Sequence, residues 1–289
     1  MIALAFAATA CAGPSSLHFT SVVTGAGTIP PLPSERALLE MVARTERVTG
    51  PRIPILLYHR ISEVANGKYS ALLVDPLQFS DQMDAIAKSG AATLTISQVV
   101  EAARRKAVFR QGVIAITFDD ATEDQYLFAF PVLQRDHLRA TFYVPTGRVG
   151  QPGYLTWAQI KQMRSSGLVE IGAHTISHRD LTKMSRAQAW HEIAGSRAIL
   201  ESELHALVTS FAYPFGTFGR REEAMVLLAG YSSGLTTAYA WTHPIQTALT
   251  WGRIEVHESN APVDLAGLAQ ASGDLHAVTT TVDLSPTAH

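Results

Sequence analysis

The sequence predicts an α/β fold in which a parallel sheet, covered by helices, closes as a distorted (β/α) barrel. Three observations carry this expectation. Strand-like and helix-like stretches alternate at the lengths of βα units, the pattern of parallel strands joined by crossover helices. Val113–Phe118, V-I-A-I-T-F, is apolar or β-branched throughout and reads as a strand buried on both faces. Residues able to do chemistry fall just after predicted strands, at Asp119 and Asp120, at His174 and His178, and in Tyr213-Pro214-Phe215-Gly216. An open, doubly wound sheet also fits the alternation, but several strand ends meet at one mouth in a barrel.

Residues 1–12 are apolar, too short to span a bilayer as a helix, and end in small residues, which suits the core of an export signal despite the lack of a basic start. Ala8-Thr9-Ala10-Cys11 resembles the cleavage box of bacterial lipoproteins, with Ala8 where leucine is usual. Lipidation of Cys11, ordinary cleavage and a buried thiol all stay open. An exported protein of the cell envelope or periplasm is expected, attached to a membrane if Cys11 is lipidated. Residues 13–33, rich in Ser, Thr, Gly and Pro, read as a flexible linker. The body is expected over 34–260.

Within the body, Ser34 caps a helix to about Val48. Ile53–His59 is the first buried strand, and Asp75-Pro76 opens a turn before a helix over Phe79–Ser89 that Gly90 ends. Ala92–Leu94 is a short strand, followed by a helix capped by Ser97. After the central strand, Tyr126–Gln134 reads as helical despite Pro131, and Ala140–Val144 as a strand. A Thr156-capped helix, the strand L-V-E-I-G, a helix from Ser185 to His205 and the strand V-T-S-F-A-Y come next. A helix around Glu222–Ala229 and late strands near Ser233–Thr236 and Gly252–Val256 complete the series. Residues 261–289 begin with a short helix, P-V-D-L-A-G-L-A-Q, and continue as a loose Thr-rich tail.

The 289 residues are 47% hydrophobic with a formal net charge of −2, enough for a large core and without the basic footprint of a nucleic-acid binder. Cys11 is the single cysteine, so an internal disulfide and a cysteine-rich zinc site are excluded. A metal ion would have to be held by His, Asp or Glu. The sequence carries no signal of oligomeric state.

Adjacent aspartates at a strand end send their side chains to opposite faces and can divide two jobs, one holding a metal and the other a proton. A turn or a helix N-cap is the ordinary alternative for Asp-Asp alone. His174 and His178 shift the balance. If Thr175–His178 forms one helical turn, the two imidazoles project to one side with Cβ atoms about 5–6 Å apart. Gly172 would let the chain turn sharply at the strand end. A carboxylate from another strand completes a two-His, one-Asp set that suits zinc first, and cobalt, nickel or iron as well.

T-F-D-D at Thr117–Asp120, H-T-I-S-H at His174–His178 and F-A-Y-P-F-G at Phe211–Gly216 resemble three signature motifs of the polysaccharide deacetylases, carbohydrate esterase family four, the NodB-homology domain. The resemblance runs from about Ile53 to about Val256. L-L-Y-H, A-T-F-Y-V and Y-L-T-W-A-Q-I look most like the bacterial branch acting on exported poly-N-acetylglucosamine. It implies Asp119 as general base and Asp120, His174 and His178 as metal ligands. A divalent ion there would polarise the acetyl carbonyl and lower the pKa of the attacking water. The backbone N–H of Phe215 is implied as an oxyanion donor. Tyr213, Phe215 and Trp157 are the sugar-site candidates, with core packing the alternative for the first two side chains.

The chain departs from the family pattern at three places. Ala121 stands where glycine usually follows the second aspartate, a mild change if the backbone there is right-handed. Ala212 replaces the arginine that steers the base, and Arg253 on the last strand is the candidate to approach the base from another direction. The late leucine-x-histidine motif carrying the general acid has no secure match. His257 is the first candidate, ahead of His276 and His59.

The expected activity is metal-dependent removal of acetyl groups from N-acetylglucosamine units of an exported or cell-envelope polysaccharide, with poly-β-1,6-N-acetylglucosamine favoured and chitin oligomers or peptidoglycan as alternatives. A catalytically degraded carbohydrate binder is the reading of another class, motivated by Ala212 and the missing acid motif. A metal-dependent amidase on a small non-sugar amide is the third.

Overall fold

Apolar runs linked by helices pair in parallel, because only a crossover long enough to hold a helix returns the chain to the same end of the sheet. The computed structural model describes residues 22–24, 27–34, 52–63, 72–107, 109, 112–257 and 259–272. The expected signal segment, the Ser34–Val48 helix beyond its first residue and the tail after residue 272 lie outside the described residues. The strands are β1 (Val22–Thr24), β2 (Gly27–Ile29), β3 (Ile55–Tyr58), β4 (Arg60–Ile61), β5 (Leu73–Val74) and β6 (Ala92–Leu94). They continue with β7 (Val113–Phe118), β8 (Ala140–Val144), β9 (Val169–Ala173), β10 (Ser210–Ala212), β11 (Ser233–Leu235) and β12 (Ile254–Glu255). The helices are α1 (Pro76–Lys88), α2 (Ile96–Arg104), α3 (Phe130–Arg135), α4 (Trp157–Ser165), α5 (Arg186–Leu204), α6 (Arg220–Leu228) and α7 (Pro262–Ala271).

The main sheet runs β11-β10-β9-β8-β7-β3-β12, all parallel, with β6 also paired to β7. Trp251 bridges in parallel to Leu235 of β11, three residues before β12 begins at the far end of the order. The two ends are thus drawn together without a full strand pair, giving a half-barrel with surrounding helices, as the distorted (β/α) barrel expectation required.

Strand alternation builds two cores. Ile114, Ile116 and Phe118 of β7 join Phe142, Phe211 and Tyr213 in the larger one, which faces the helices. Val113 and Ala115 join Tyr143, Ala212, Leu235 and Trp251 in the second, where α2 contributes Val99 and Val100. Asp119 continues the parity of Ala115 and Thr117 and therefore belongs with the second group.

Several local expectations are corrected. Asp75 is the N-cap of α1, its side chain accepting from the Leu77 N–H at 2.8 Å, and Pro76 is the first helical residue rather than part of a separate turn. Thr95, not Ser97, caps α2, with the Gln98 side chain closing the capping box. Residues 125–129 form a π turn before α3. Gly172 lies inside β9, where a Cβ would come within 2.4 Å of the Tyr143 ring, so it supplies room rather than a turn. Tyr143 crosses there to meet Ser210 Oγ at 2.5 Å.

At its N-terminal end the described chain is held more firmly than a tether would be, and at the other end the expected short helix forms as α7. β1 and β2 pair as a hairpin, and Trp190 Nε1 of α5 donates to the Pro30 carbonyl at 2.7 Å. Leu265 and Ala269 of α7 are buried in the larger core, and Ser272 Oγ accepts the Val113 N–H at 2.6 Å. Both segments therefore pack as parts of the body. Among the described residues no helix is long and apolar enough to cross a membrane.

Candidate metal centre and base

Beyond Phe118 the chain leaves the sheet at once. Asp120 and Ala121 both take left-handed backbone, with φ of 74° and 53°. Ala121 is thus where glycine would be at ease, and its methyl group costs about 1–2 kcal/mol of backbone energy, so the replacement is not mild. The turn swings Asp120 towards the histidines while Asp119 stays with Thr117 on the second core.

Asp119 is buried and gripped at both oxygens, with Arg253 Nη1 2.8 Å from Oδ1 and Nη2 2.6 Å from Oδ2. Arg253 is itself fully enclosed. Its Nε donates to the Thr236 carbonyl at 3.0 Å, and its guanidinium carbon stands 5.7 Å from the Tyr143 ring centre. Burial pushes the Asp119 pKa up, but the Arg253 charge, then the His174 charge and the Arg253 hydrogen bonds outweigh it and hold the carboxyl well below its usual range. The group is ionised and can accept a proton only from something brought directly to it.

His174 follows β9, and its Nδ1 lies 2.8 Å from the Ala212 carbonyl, which fixes the proton on Nδ1 and leaves Nε2 as a lone-pair donor. Burial lowers its pKa to about 4, against the opposing pull of Asp119, so the ring is neutral near pH 7. His178 Nε2 stands 3.1 Å and His174 Nε2 3.7 Å from Asp120 Oδ1, and one donor atom from each residue falls within 4.8 Å of the others. Ligands about 2.0–2.1 Å from a tetrahedral ion stand roughly 3.4 Å apart, so this donor set fits a single divalent cation. Burial alone would also raise the Asp120 pKa, but hydrogen bonding to His178 and then the charges of His174 and His178 lower it.

The two rings converge without a helical turn. Thr175 and His178 have φ of 65° and 56°, and the His178 N–H returns to Thr175 Oγ1 at 3.0 Å, bringing the ring centres to 4.7 Å. Phe215, also left-handed at φ 61°, sets its ring 4.9 Å from that of His178 and is 60% exposed. Tyr213 is not in the site: it is fully buried, stacks on Phe218 and donates its hydroxyl to the Leu249 carbonyl at 3.0 Å, because it shares the face of Phe211. Trp157 packs half-buried against the larger core from the first turn of α4 rather than among the cluster residues.

Two histidines approach Glu255, His59 with Nδ1 and His257 with Nε2 each 3.9 Å from a carboxylate oxygen, and the pairing of Tyr58 with Phe118 sets His59 alongside Asp119. β12 ends at Glu255, after which the His257 N–H donates to Asn260 Oδ1 at 2.7 Å and the chain turns away, leaving the side chain 44% exposed. His59, 13% exposed at the end of β3, acts electrostatically on both Asp119 and Asp120 and has Nδ1 3.9 Å from Glu255 Oε1. The sequence ranks it below His257, although L-L-Y-H places it at a strand end, and the structure sets that strand beside β7. Gln125 was missed entirely. Its Nε2 donates to the carbonyls of His59 and Asp119 at 2.6 and 2.5 Å, tying the two strand ends together, and no sequence motif marks it.

An incompletely closed parallel barrel with a His, His, Asp donor set beside a buried, arginine-held aspartate defines a hydrolase-type metal site at the strand ends. Residues 106–234 match the polysaccharide deacetylase family model. The chain is 30% identical over 186 residues to YxkH of Bacillus subtilis (strain 168), a protein named for the same family, spanning 64% of each chain. It is 25% identical over 176 residues to the poly-beta-1,6-N-acetyl-D-glucosamine N-deacetylase of Staphylococcus aureus (strain MRSA252), covering 56% of this chain and 60% of that one. The chain thus spans less than two thirds of the length of these curated relatives. The Streptococcus pyogenes deacetylase PplD, solved in complex with acetate, superposes with a TM-score of 0.71 at 28% identity, over 76% of this chain and 99% of that one.

Proposed function

We propose that this chain is an exported, metal-dependent N-deacetylase acting on N-acetylglucosamine units of a cell-envelope or extracellular polysaccharide, with the β-1,6-linked polymer as leading substrate. The observation that carries the reading is the ionised Asp119, locked by Arg253, 3.9 Å from the Nε2 of a histidine in the metal cluster. The likeness to the S. aureus enzyme favours the β-1,6 polymer.

Asp120, His174 and His178 would hold the ion, with zinc the best match to the donors and cobalt, nickel or iron compatible. When bound, the ion supplies Lewis acidity towards the acetyl carbonyl and lowers the pKa of water. Asp119 accepts the proton of the water that attacks the acetyl carbon, and Arg253 keeps it charged and aimed. The Phe215 N–H is assigned to the developing oxyanion, and the exposed Phe215 ring to the sugar wall. His59, with Glu255 behind it, donates a proton to the departing nitrogen as the C–N bond breaks, giving acetate and a free amine. Freed amines are cationic at neutral pH, which changes how the polymer adheres to anionic surfaces.

The degraded-binder reading is weakened by Arg253, which grips Asp119 at both oxygens and so supports the role of a base-steering arginine. The test is acetate release from N-acetylglucosamine oligomers by wild type and Asp119→Asn. Wild-type release that the variant lacks, with metal retained in both, supports the reading; equal release by both defeats it.

A further inference from the structure

We propose that Glu192 is a positioning residue for the metal centre: its carboxylate, on α5, holds the His174–His178 loop in the shape that turns both imidazoles onto Asp120. The inference rests on Asp120, His174 and His178 being the metal ligands.

The loop needs such a hold. Thr175 and His178 both sit at positive φ, which is unfavourable for any residue but glycine and most so for a β-branched one. A conformation of this kind persists only where its surroundings over-determine it. Glu192 Oε2 accepts the Ile176 N–H at 2.9 Å and the Ser177 N–H at 2.8 Å, and Oε1 accepts the Ser177 hydroxyl at 2.6 Å. One buried carboxylate thus gathers three donors from the two residues at the middle of the loop. From the other side, the Thr146 and Gly147 N–H groups donate to the Thr175 and Ile176 carbonyls at 3.1 and 2.8 Å. Gly147 permits that approach, since a Cβ there would lie 2.8 Å from the Ile176 oxygen. The Ile176 side chain then seats over Gly195, one turn beyond Glu192, beside Ile29 of the N-terminal hairpin. Without Glu192 the loop would lose the carboxylate that gathers its Ile176 and Ser177 donors, and His178, at its end, would lose its place relative to His174.

The test is a Zn2+ titration of the metal-stripped full chain against a chromophoric chelator, with melting temperatures taken in parallel. Glu192→Ala and Glu192→Asp are expected to weaken Zn2+ binding about tenfold or more, the range seen when groups that orient metal ligands are removed. Glu192→Gln, whose amide oxygen still accepts both backbone N–H groups and whose amide N–H can reach Ser177 Oγ, should recover most of the affinity. Leu200→Ala, a buried change elsewhere on α5, controls for general destabilisation and should melt earlier yet bind as wild type does. Wild-type affinity in both Glu192→Ala and Glu192→Asp overturns the proposal, as does an equal loss in Leu200→Ala. Should Glu192→Ala fail to fold, Glu192→Asp decides. A wild-type protein that binds no Zn2+ would instead defeat the metal-site reading beneath it.

Discussion

Replacing Arg253 by methionine keeps most of the side-chain volume but strips Asp119 of both its charge-assisted hydrogen bonds, at 2.8 and 2.6 Å. Both groups are enclosed, so water cannot take over. Removing one partner of a buried ion pair costs about 3–5 kcal/mol, because the other charge is left uncompensated. The Thr236 carbonyl and Thr117 Oγ1 lose Arg253 as a donor at the same time, which places the expected loss in the upper half of that range. Part of the loss can be relieved by protonating Asp119, because burial, the largest influence on its pKa, pushes upward once Arg253 is gone. At about 1.4 kcal/mol per pKa unit, a pair of this strength corresponds to a rise of roughly two to four units. Urea unfolding of the metal-free protein reads the stability, and the acidic limb of the kcat/KM profile reads the base. Arg253→Met should be less stable by at least about 3 kcal/mol, with its acidic limb displaced upward by about two pH units or more. Adding Asp119→Asn should return part of the stability, since no buried charge then remains. A variant within 0.5 kcal/mol of wild type, the ordinary spread of surface substitutions, with an unmoved acidic limb would refute the reasoning.

Three further outcomes follow from the same geometry. His59→Gln should lower kcat by about 10²–10⁴-fold while leaving Zn2+ affinity intact, and His257→Gln should stay near wild type; steady-state kinetics reversing that order would return the acid role to His257. Tyr213→Phe should cost about 1 kcal/mol through the lost Leu249 hydrogen bond and leave KM unchanged, whereas a raised KM would restore Tyr213 to the sugar site. His174 and His243 are both buried with pKa lowered to about 4, so each is neutral when folded and must charge on unfolding below its free value of about 6.5. Their contribution is complete above pH 6.5 and is lost as the pH falls towards 4. Between pH 7 and pH 5 the metal-free protein should lose about 2 kcal/mol per histidine, and chemical denaturation showing a flat profile would contradict this.

The features legible in the sequence were those written in short periodic signals. V-I-A-I-T-F announced its own burial, and the helix starts at Thr156 and Ser185 were read correctly, the structure adding Gln159 and Gln188 as the partners that close their capping boxes. The spacing of His174 and His178 brought them together even though the expected helical turn does not exist, because two left-handed residues achieve the same convergence. Asp120 and Ala121 show the limit of that logic, since nothing local in D-D-A demands positive φ. For Tyr213 the sequence left sugar site and core packing both open, and the structure takes the second, as the F-A-Y alternation that assigns it to the face of Phe211 allows. Trp157 was singled out for its motif and lies against the core. Gln125 and Glu192 act through carbonyls, N–H groups and a hydroxyl brought close only by tertiary packing, so no sequence pattern could have marked them. Arg253 was within reach because it directly precedes β12, which pairs with β3, the neighbour of β7.

The most direct test of the proposed metal-dependent deacetylation is stoichiometric restoration: acetate release from β-1,6-linked N-acetylglucosamine oligomers by metal-stripped protein as Zn2+ is added in fractions of an equivalent. Release should rise from a negligible baseline, level off at about one Zn2+ per chain as a single three-ligand site requires, and be absent from Asp120→Ala at the same additions. Full release by the stripped, chelator-treated protein, or saturable Zn2+ binding without any release, would contradict the account.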